Sequence, residues 1–353
     1  MELNEFLRKK ASSVERMRLS FRGLQFLYNL IVIPLRALSF IATGVLFIIT
    51  LFIIIPFGFW GFGCLILYFI LTAIPKPRNV YESRIKDKII PTIIEKTDPN
   101  LKYYPYHINY ETIKKSGLFN KSFFATYISL TGDDLIQGKV DGVDVEFGEI
   151  CFKKEYVNWF KTILLILFAL ILIPIIIIAQ LFGGEGSGNI DELPIGLVKE
   201  TKIFYQGMYM SADFHKHFSG QVLLMPKNLE NINDKLDDYF FGTTFKKITV
   251  ENPLINQAYN VLGTNEQTAF YVLSPAIIQA IEHLHQQEKK WPVVSFQNGT
   301  IFLTVPNSRN YFAANLKKKV KDETYFTRYI DELHSLKKMV KDFNLDTRIW
   351  TKS

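Results

Sequence analysis

The most restrictive feature of this sequence is a long run without charge. No Asp, Glu, Lys or Arg occurs between Ala37 and Ile74. A single α-helix of this length would measure roughly 57 Å at about 1.5 Å per residue. The hydrocarbon core of a bilayer is only about 30 Å thick. The run is therefore predicted to fold back on itself within a membrane.

The turn of this fold is predicted at the stretch "IIIPFGFWGFG". Pro56 and Gly58 favour a break, and the surrounding Phe and Trp residues suit the membrane interface. We expect one helix over residues 31–55 and a second over residues 57–74, so that residues 31–75 form a transmembrane helical hairpin. Arg36 is expected near the inner end, where its long side chain can reach the headgroups.

Both flanks of the predicted hairpin are basic. Residues 1–30 are expected to form a juxtamembrane helix, and "PKPRNVYESRIKDK" follows the hairpin. Because loops rich in Lys and Arg stay in the cytoplasm, both flanks are predicted to be cytoplasmic. The apolar run starts too late and is too long for a cleavable signal peptide, so we expect a retained anchor. The lipid bilayer is thus the first expected partner.

The basic excess of the chain is better explained by these flanks than by nucleic acid. The formal net charge is +7, but no basic stripe interleaved with stacking aromatic residues is present. No nucleic-acid partner is therefore expected. The two cysteines, Cys64 and Cys151, are too few for a disulfide framework or a zinc site.

Residues 76–158 are predicted to be the first part of a cytoplasmic α+β domain. Residues 80–97 have the spacing of an amphipathic helix, with a kink at Pro91. "VDGVDVEF" carries an Asp-Gly pair between alternating residues, which is a strong hairpin signal.

Residues 183–320 are predicted to be the second part of the same domain. The segments "TKIFYQGMYMSAD", "SGQVLLMP", "TTFKKITVENP" and "TAFYVLS" are interpreted as strands, and "PVVSFQNGTIFLTVP" as a hairpin about Asn298-Gly299. Ser274 and Pro275 open a helix as N-cap and first helical residue. Residues 321–353 are predicted to contain a C-terminal helix. The expected fold class is α+β, with a mostly antiparallel sheet and flanking helices.

A further apolar membrane segment, residues 159–182, interrupts this domain. The charges beside it predict a crossing that places the rest of the chain outside, whereas strands on both sides of it are predicted to share one sheet. The segment has a break at Pro174, and each half is only about 15 Å long as a helix. We predict a re-entrant segment that returns to the cytoplasm, and a true third transmembrane span is the alternative.

The candidate metal ligands are two His-x-His pairs. His215 and His217 follow a predicted strand near Asp213, whereas His283 and His285 lie on a predicted helix. Residues two apart share a face on a strand but not on a helix. Even for the first pair, a solvated turn with ordinary polar residues is favoured over a metal site.

No other pattern predicts catalysis. "TGDDLIQG" has paired acids that can hold magnesium, but an Asp-rich turn before a strand is favoured. A nucleophile elbow, a phosphate loop, a zinc-protease motif and a dinucleotide fingerprint are all missing from the sequence. The prediction is no catalytic residue, no metal site and no cofactor.

The order of several segments resembles a bacterial family of membrane proteins known as domain of unknown function 3137. The segments include "FYQGMYMSADFHKHFSGQVLLMP", "VENPLINQAYNVLGTNEQTAFYVLSPAIIQAI" and "SFQNGTIFLTVPN". The resemblance implies a bacterial inner-membrane protein with a cytoplasmic domain, and a possible partner among small membrane proteins of the LemA type. The apolar segment before "IFYQG" departs from the family pattern, where a polar loop is expected.

The residues that carry the resemblance are interpreted as structural. Glycines suit turns, aromatic side chains suit a core, and prolines suit helix starts. They are Tyr205, Gly207, Asp213, Phe214, Phe218, Gly220, Glu251, Pro253, Tyr259, Val261, Leu273 and Pro275.

These patterns leave three hypotheses for function. The first is a membrane-anchored, non-enzymatic interaction or regulatory protein such as a scaffold. The second is a membrane-surface enzyme that uses Asp213, His215 and His217. The third is a small subunit of a transport complex.

Overall fold

The computed structural model describes most of the chain. The described residues are 3–53, 56–119, 121–124, 128–166, 197–214, 218–232, 245–307, 311–320 and 324–343. They form two compact units, each assembled from separate parts of the sequence. Unit 1 comprises Met1–Pro105, Asp134–Val145 and Asn310–Asp342, and unit 2 comprises Tyr106–Asp133, Glu146–Arg309 and Phe343–Ser353. The first hairpin, residues 128–157, contributes residues to both units.

Unit 1 begins with a long helix that does not stop at the predicted boundary near residue 30. Helix α1 (Leu3–Leu27) continues through a π-helical turn (Tyr28–Val32) into helix α2 (Ile33–Ile53). In this turn the amide of Ile33 donates to the carbonyl of Tyr28. Pro34 explains the irregularity, because its ring lacks an N–H and would collide with the carbonyl four residues earlier in a regular α-helix.

Helix α3 (Pro56–Ala73) packs beside α2 in unit 1. The rings of Phe40 and Tyr68 lie 5.5 Å apart across this contact. One helix among the described residues, Glu5–Leu46, is long and apolar enough to span a membrane, and 11% of its most apolar window is buried. Core helices of soluble proteins also meet the length and composition test, but they are mostly buried. A signal sequence near the N-terminus passes the same test.

The predicted amphipathic helix after the apolar run consists of two helices. Helix α4 (Pro77–Lys88) ends just before Pro91, and helix α5 (Ile90–Thr97) starts with this proline in its first turn. The break has the physical cause that was predicted, because a proline cannot donate within a helix. The predicted apolar stripe is buried along both helices: Ile85, Ile89, Ile90, Ile93 and Ile94.

The strands form one nine-stranded sheet in the order β1-β2-β3-β4-β9-β8-β5-β7-β6. Its described pairings are antiparallel, which confirms an α+β fold with a large antiparallel sheet. The strands are β1 (Leu101–Tyr104), β2 (Ile128–Val140), β3 (Val143–Val157), β4 (Lys199–Asp213), β5 (Gln221–Pro226), β6 (Lys246–Ile248), β7 (Tyr259–Gly263), β8 (Val293–Gln297) and β9 (Thr300–Pro306).

Both predicted hairpin turns are present. Asp141-Gly142 joins β2 to β3, and Asn298-Gly299 joins β8 to β9. All four residues have positive φ angles between 51° and 87°. Two central residues with positive φ make the tight turn whose twist matches that of paired strands, and Asp-Gly and Asn-Gly favour it.

One predicted strand is wrong. The segment "TAFYVLS" lies mainly in helix α8 (Glu266–Val272), and the neighbouring strand is β7, which precedes it. Asn265 caps this helix, because its side chain accepts a hydrogen bond of 2.8 Å from the amide of Gln267. A short apolar run does not distinguish a buried strand from a short helix, and the cap decides the outcome.

The remaining helices are α6 (Tyr110–Lys115), α7 (Pro253–Ala258), α9 (Pro275–Glu288) and α10 (Thr324–Asp342). The last two correspond to predicted helices. The further apolar segment is described only at its start, where residues 159–166 are helical. The predicted break at Pro174 and the choice between a re-entrant segment and a third span lie outside the described residues.

Candidate functional site

Tyr205 and Gly207, two residues of the family pattern, lie on β4 and contact β9. The hydroxyl of Tyr205 is 2.8 Å from Oγ1 of Thr304, and burial raises the pKa of this phenol. A Cβ atom on Gly207 would lie 2.4 Å from the carbonyl oxygen of Val305. The absence of a side chain at Gly207 therefore allows the two strands to pair closely.

The next residues of the pattern follow the end of β4. Asp213 is its last residue and is half-buried. The ring of Phe214 lies 5.3 Å from that of Phe296 and 6.1 Å from that of Phe218. Gly220 precedes β5 with a φ of +99°, a conformation that other residues rarely adopt.

The second half of the pattern surrounds strand β7. Pro253 and Pro275 occupy the first turns of helices α7 and α9. The hydroxyl of Tyr259 donates a hydrogen bond of 2.9 Å to the carbonyl of Pro292. Val261 and Leu273 are buried, and Glu251 is exposed. These contacts serve packing, turns and helix starts.

The enzyme alternative depends on His215 and His217, which lie outside the described residues. The second histidine pair lies on α9, where the ring of His285 stacks on Trp291 at 3.7 Å. Within the described ranges, no group of three or more His, Cys, Asp and Glu side chains is placed to hold a metal ion.

The paired acids of "TGDDLIQG" lie within strand β2 rather than in a turn. Asp133 accepts a hydrogen bond of 3.2 Å from the amide of Tyr106 in unit 2. Asp134 is buried in unit 1 and has a positive φ of 56°. A non-glycine residue in this conformation is uncommon, so the surrounding contacts hold it there.

The contact that holds Asp134 is a buried ion pair. The ammonium of Lys86 on α4 lies 2.9 Å from Oδ1 and 3.0 Å from Oδ2 of Asp134, and both side chains are only 1% exposed. The hydroxyl of Tyr103 also donates to this carboxylate. A buried charge without its partner is strongly destabilising. Lys86 therefore fixes α4 against the part of β2 that belongs to the same unit.

A second buried cation lies on α1, in the part of the continuous helix that precedes α2. Arg18 is completely buried and donates to both carboxylate oxygens of Glu15, at 2.6 and 2.7 Å. Its guanidinium also donates to the carbonyl of Leu316 at 3.2 Å, and Glu15 accepts from the amide of Val320 at 2.7 Å. We call these four residues the Arg18 clamp. The clamp connects the N-terminal helix to the segment that precedes α10.

Helix α10 is fixed in unit 1 by further polar contacts. Glu332 accepts a hydrogen bond of 2.8 Å from the amide of Phe312, and it is buried. Lys337 lies 2.6 Å from a carboxylate oxygen of Asp98, at the end of α5. The ring of Phe312 lies 5.9 Å from that of Tyr103. The C-terminal helix, α5 and β1 are thus parts of one packed unit.

The described residues on either side of residues 167–196 meet in unit 2. The amide of Asn158 donates to the carbonyl of Val198 at 2.8 Å, and the amide of Val198 donates to Oγ1 of Thr162 at 3.0 Å. Glu200 accepts from Lys161 and, at 2.8 Å, from the hydroxyl of Tyr156. The Lys161 contact is the main cause that lowers the pKa of Glu200 to about 2. We call these contacts the 158–200 clip.

Sequence reasoning missed both buried cations. Arg18 lies in the basic residues 1–30 and Lys86 in the basic stretch after the hairpin, and neither pattern predicts burial. One signal was present: Lys86 directly follows Ile85 in the apolar stripe, so it lies beside the buried face of α4. The partner of Lys86 is 48 residues away in the sequence, and no local pattern identifies it.

Comparison with protein families gives one match. Residues 203–345 match the family described as "Protein of unknown function (DUF3137)". This confirms the predicted resemblance for a segment from β4 through α10. No curated protein and no solved structure matches the chain.

The buried Lys86–Asp134 pair makes a measurable prediction. Lys86→Met should destabilise the full chain by about 3–5 kcal/mol, because it leaves a buried carboxylate without its cation. The double variant Lys86→Met/Asp134→Asn should recover part of this loss, because the uncompensated charge is then absent. Urea unfolding in a mild detergent, followed by tryptophan emission, measures both values. Equal destabilisation in the single and double variants would contradict the pairing.

The close approach at Gly207 makes a second prediction. Gly207→Ala should destabilise the protein by about 1–3 kcal/mol, because a backbone oxygen must move to admit the methyl group. The control is Gly299→Ala, where the nearest atom is 4.0 Å from the added carbon and the cost is about 1 kcal/mol of backbone strain. Thermal unfolding of the two variants gives the comparison. A smaller loss at Gly207 than at Gly299 would refute this account of the motif glycine.

Proposed function

We propose that this chain, whose residues 203–345 carry the domain of unknown function 3137, is a membrane-anchored and non-enzymatic interaction or regulatory protein. One observation carries the proposal. The apolar helix α2 exposes large side chains, such as Leu38 and Ile41 at 61% and 58%. The same continuous helix contains Arg18, which is fully buried against the rest of unit 1.

The exposed apolar surface is best explained by lipid. Burial of apolar surface contributes roughly 25 cal/mol per Å², so this many exposed Leu, Ile and Phe side chains on one pair of helices is unfavourable in water. A bilayer removes that surface from water without any protein partner. Helix α3 is part of the same proposed anchor, and together the helices form the proposed hairpin of a multi-pass membrane protein.

The proposed role is that of a scaffold held at a defined position on the membrane. Helices α1 and α2 are joined by a π-helical turn rather than by a flexible linker, and the Arg18 clamp fixes α1 to the segment before α10. An anchor built in this way transmits its orientation to unit 1. The basic flanks support a cytoplasmic location of the units in a bacterial inner membrane. A small membrane protein of the LemA type is the proposed partner.

The same side of the membrane is proposed for both ends of the apolar segment. Strands β3 and β4 precede and follow this segment and are neighbours in one sheet, and the 158–200 clip joins residues 158–162 to residues 198–200 by hydrogen bonds. A bilayer cannot separate strands that share hydrogen bonds. These contacts support the re-entrant proposal over a single third crossing.

The enzyme and transport-subunit alternatives have no comparable support. The described residues of the family pattern lie mainly in the core, at turns and at helix starts. The enzyme alternative uses Asp213, His215 and His217, and bound metal at the two histidines would favour it. Zinc or manganese bound stoichiometrically to the purified protein, and lost in His215→Ala/His217→Ala, would favour it over the scaffold.

Membrane attachment is tested by extraction. The full chain should remain with the membrane fraction after washes with high salt and alkaline carbonate, and detergent should release it. Ile41→Lys/Val45→Lys should weaken retention, because each charge at the centre of a membrane helix costs about 2.5–3.5 kcal/mol. Ser12→Lys/Ser13→Lys is the matched control, since these exposed residues lie on α1 outside the apolar part. Release of the parent protein by the alkaline wash would refute the proposed anchor.

The sidedness of the clip is tested with single cysteines. After Cys64→Ala and Cys151→Ala, cysteine replaces either Lys154 or Lys199, which are exposed residues before and after the apolar segment. A membrane-impermeant thiol reagent should label neither site in intact cells and both sites after permeabilisation. Labelling of Lys199→Cys alone in intact cells would establish a single crossing and refute the re-entrant proposal.

A further inference from the structure

A cavity of about 430 Å³ lies where helices α2 and α3 approach the basic flanks in unit 1. Its lining combines two cations, two phenols and apolar side chains: Tyr28, Ile33, Arg36, Ala37, Phe40, Tyr68 and Lys76. We propose that this cavity binds an anionic phospholipid of the surrounding leaflet, with the phosphate at Arg36 and Lys76 and an acyl chain along Ile33 and Phe40. This inference rests on the proposed membrane anchor.

The positions of the two cations support a headgroup site. Arg36 is the last charged residue before the apolar run, and Lys76 is the first charged residue after it. The cavity brings these residues together although they are far apart in the sequence. In a bilayer, charged residues that border an apolar span lie at the depth of the lipid phosphates. The cavity is therefore placed where such a phosphate is available.

The geometry of Arg36 prepares it for a phosphate. Its guanidinium lies over the ring of Tyr68, with 5.4 Å between the central carbon and the ring centroid. Stacking on an aromatic face orients the planar guanidinium and leaves its edge available for paired hydrogen bonds to phosphate oxygens. No acidic side chain belongs to the described lining, so the positive charge of Arg36 and Lys76 is not neutralised within the cavity.

The π-helical turn borders the cavity and affects which side chains line it. Tyr28, the first residue of this turn, is buried and lines the cavity, and Ile33 follows the turn. A π-turn adds a residue to one turn of the helix and changes which side chains face the neighbouring helix. Pro34 follows the turn, and its missing N–H is compatible with an irregular helix at this position.

The test measures lipid binding to the full chain in detergent. Native mass spectrometry is performed with added phosphatidylglycerol or phosphatidylcholine, and with glycerophosphate as a soluble competitor. The parent protein should bind phosphatidylglycerol in preference to phosphatidylcholine. Arg36→Gln/Lys76→Gln should reduce phosphatidylglycerol binding by roughly tenfold to thirtyfold, because each cation near an anionic headgroup contributes about 1 kcal/mol.

The matched control is Arg22→Gln/Lys88→Gln. This variant removes the same charge from exposed residues of α1 and α4 that do not line the cavity, and it should bind the lipid like the parent. Arg36→Lys should lose part of the selectivity, because a lysine keeps the charge but not the planar pair of donors.

Three outcomes would overturn the inference. They are no preference for phosphatidylglycerol in the parent, an equal loss in the cavity variant and its control, and displacement of the lipid by an equimolar amount of glycerophosphate. The alkaline wash of the same parent preparation separates this inference from the proposed function. A protein that resists the wash but shows no lipid preference retains its proposed anchor and lacks the proposed lipid site.

Discussion

The rest of unit 1 depends on how apolar surface is kept away from water on helix α2. A helix with large exposed Leu, Ile and Phe side chains on most of its faces is stable in contact with lipid and unfavourable in water. The positions of the charged residues agree with this constraint, because Arg36 precedes the apolar run and Lys76 follows it. The buried Arg18 clamp lies on α1, in the part of the same continuous helix that precedes the apolar run.

Burial of Arg18 determines how the anchor is connected to the rest of unit 1. A buried guanidinium is costly to desolvate, so its donors must be satisfied by an anion or by carbonyl oxygens. Glu15 supplies the anion from the preceding turn of the same helix, and Leu316 supplies a carbonyl from a distant part of the chain. Any rotation of α1 about its axis would break these contacts together. The clamp thus defines one rotational position of the helix that continues into the apolar region.

Local sequence signals predict the elements of this fold better than its long-range contacts. The isoleucine stripe of α4 and α5, the break at Pro91 and the two tight turns follow from rules that act within a few residues, and the structure contains all of them. The helix over "TAFYVLS" was missed because its cap, Asn265, is a single polar residue beside an apolar run. The pairs Lys86–Asp134 and Arg18–Leu316 were missed because burial of a charge depends on a partner that topology supplies. These buried long-range contacts are therefore the part of the molecule that the sequence patterns predicted least well.

At the apolar segment, the charges beside it predict a single crossing, whereas the pairing of the strands on its two sides predicts a return to the same side. The charge rule acts through short loops next to a span, and it has little influence on long domains. Strand pairing is a stricter requirement, because two strands on opposite sides of a bilayer cannot form the hydrogen bonds of one sheet. Strands β3 and β4 are neighbours, and β4 also pairs with β9 over seven residues from Gly207 to Asp213. Moving β4 across a bilayer would break its hydrogen bonds with β3 and with β9.

The 158–200 clip adds contacts at the point where the chain leaves and re-enters the sheet. Glu200 keeps its charge there down to strongly acidic pH, because the Lys161 ammonium lowers its pKa. The clip therefore contributes stability that is present above the usual carboxyl pKa and is lost as the pH falls toward 2. At neutral pH the clip therefore holds residues 158–162 next to residues 198–200, as the re-entrant proposal requires.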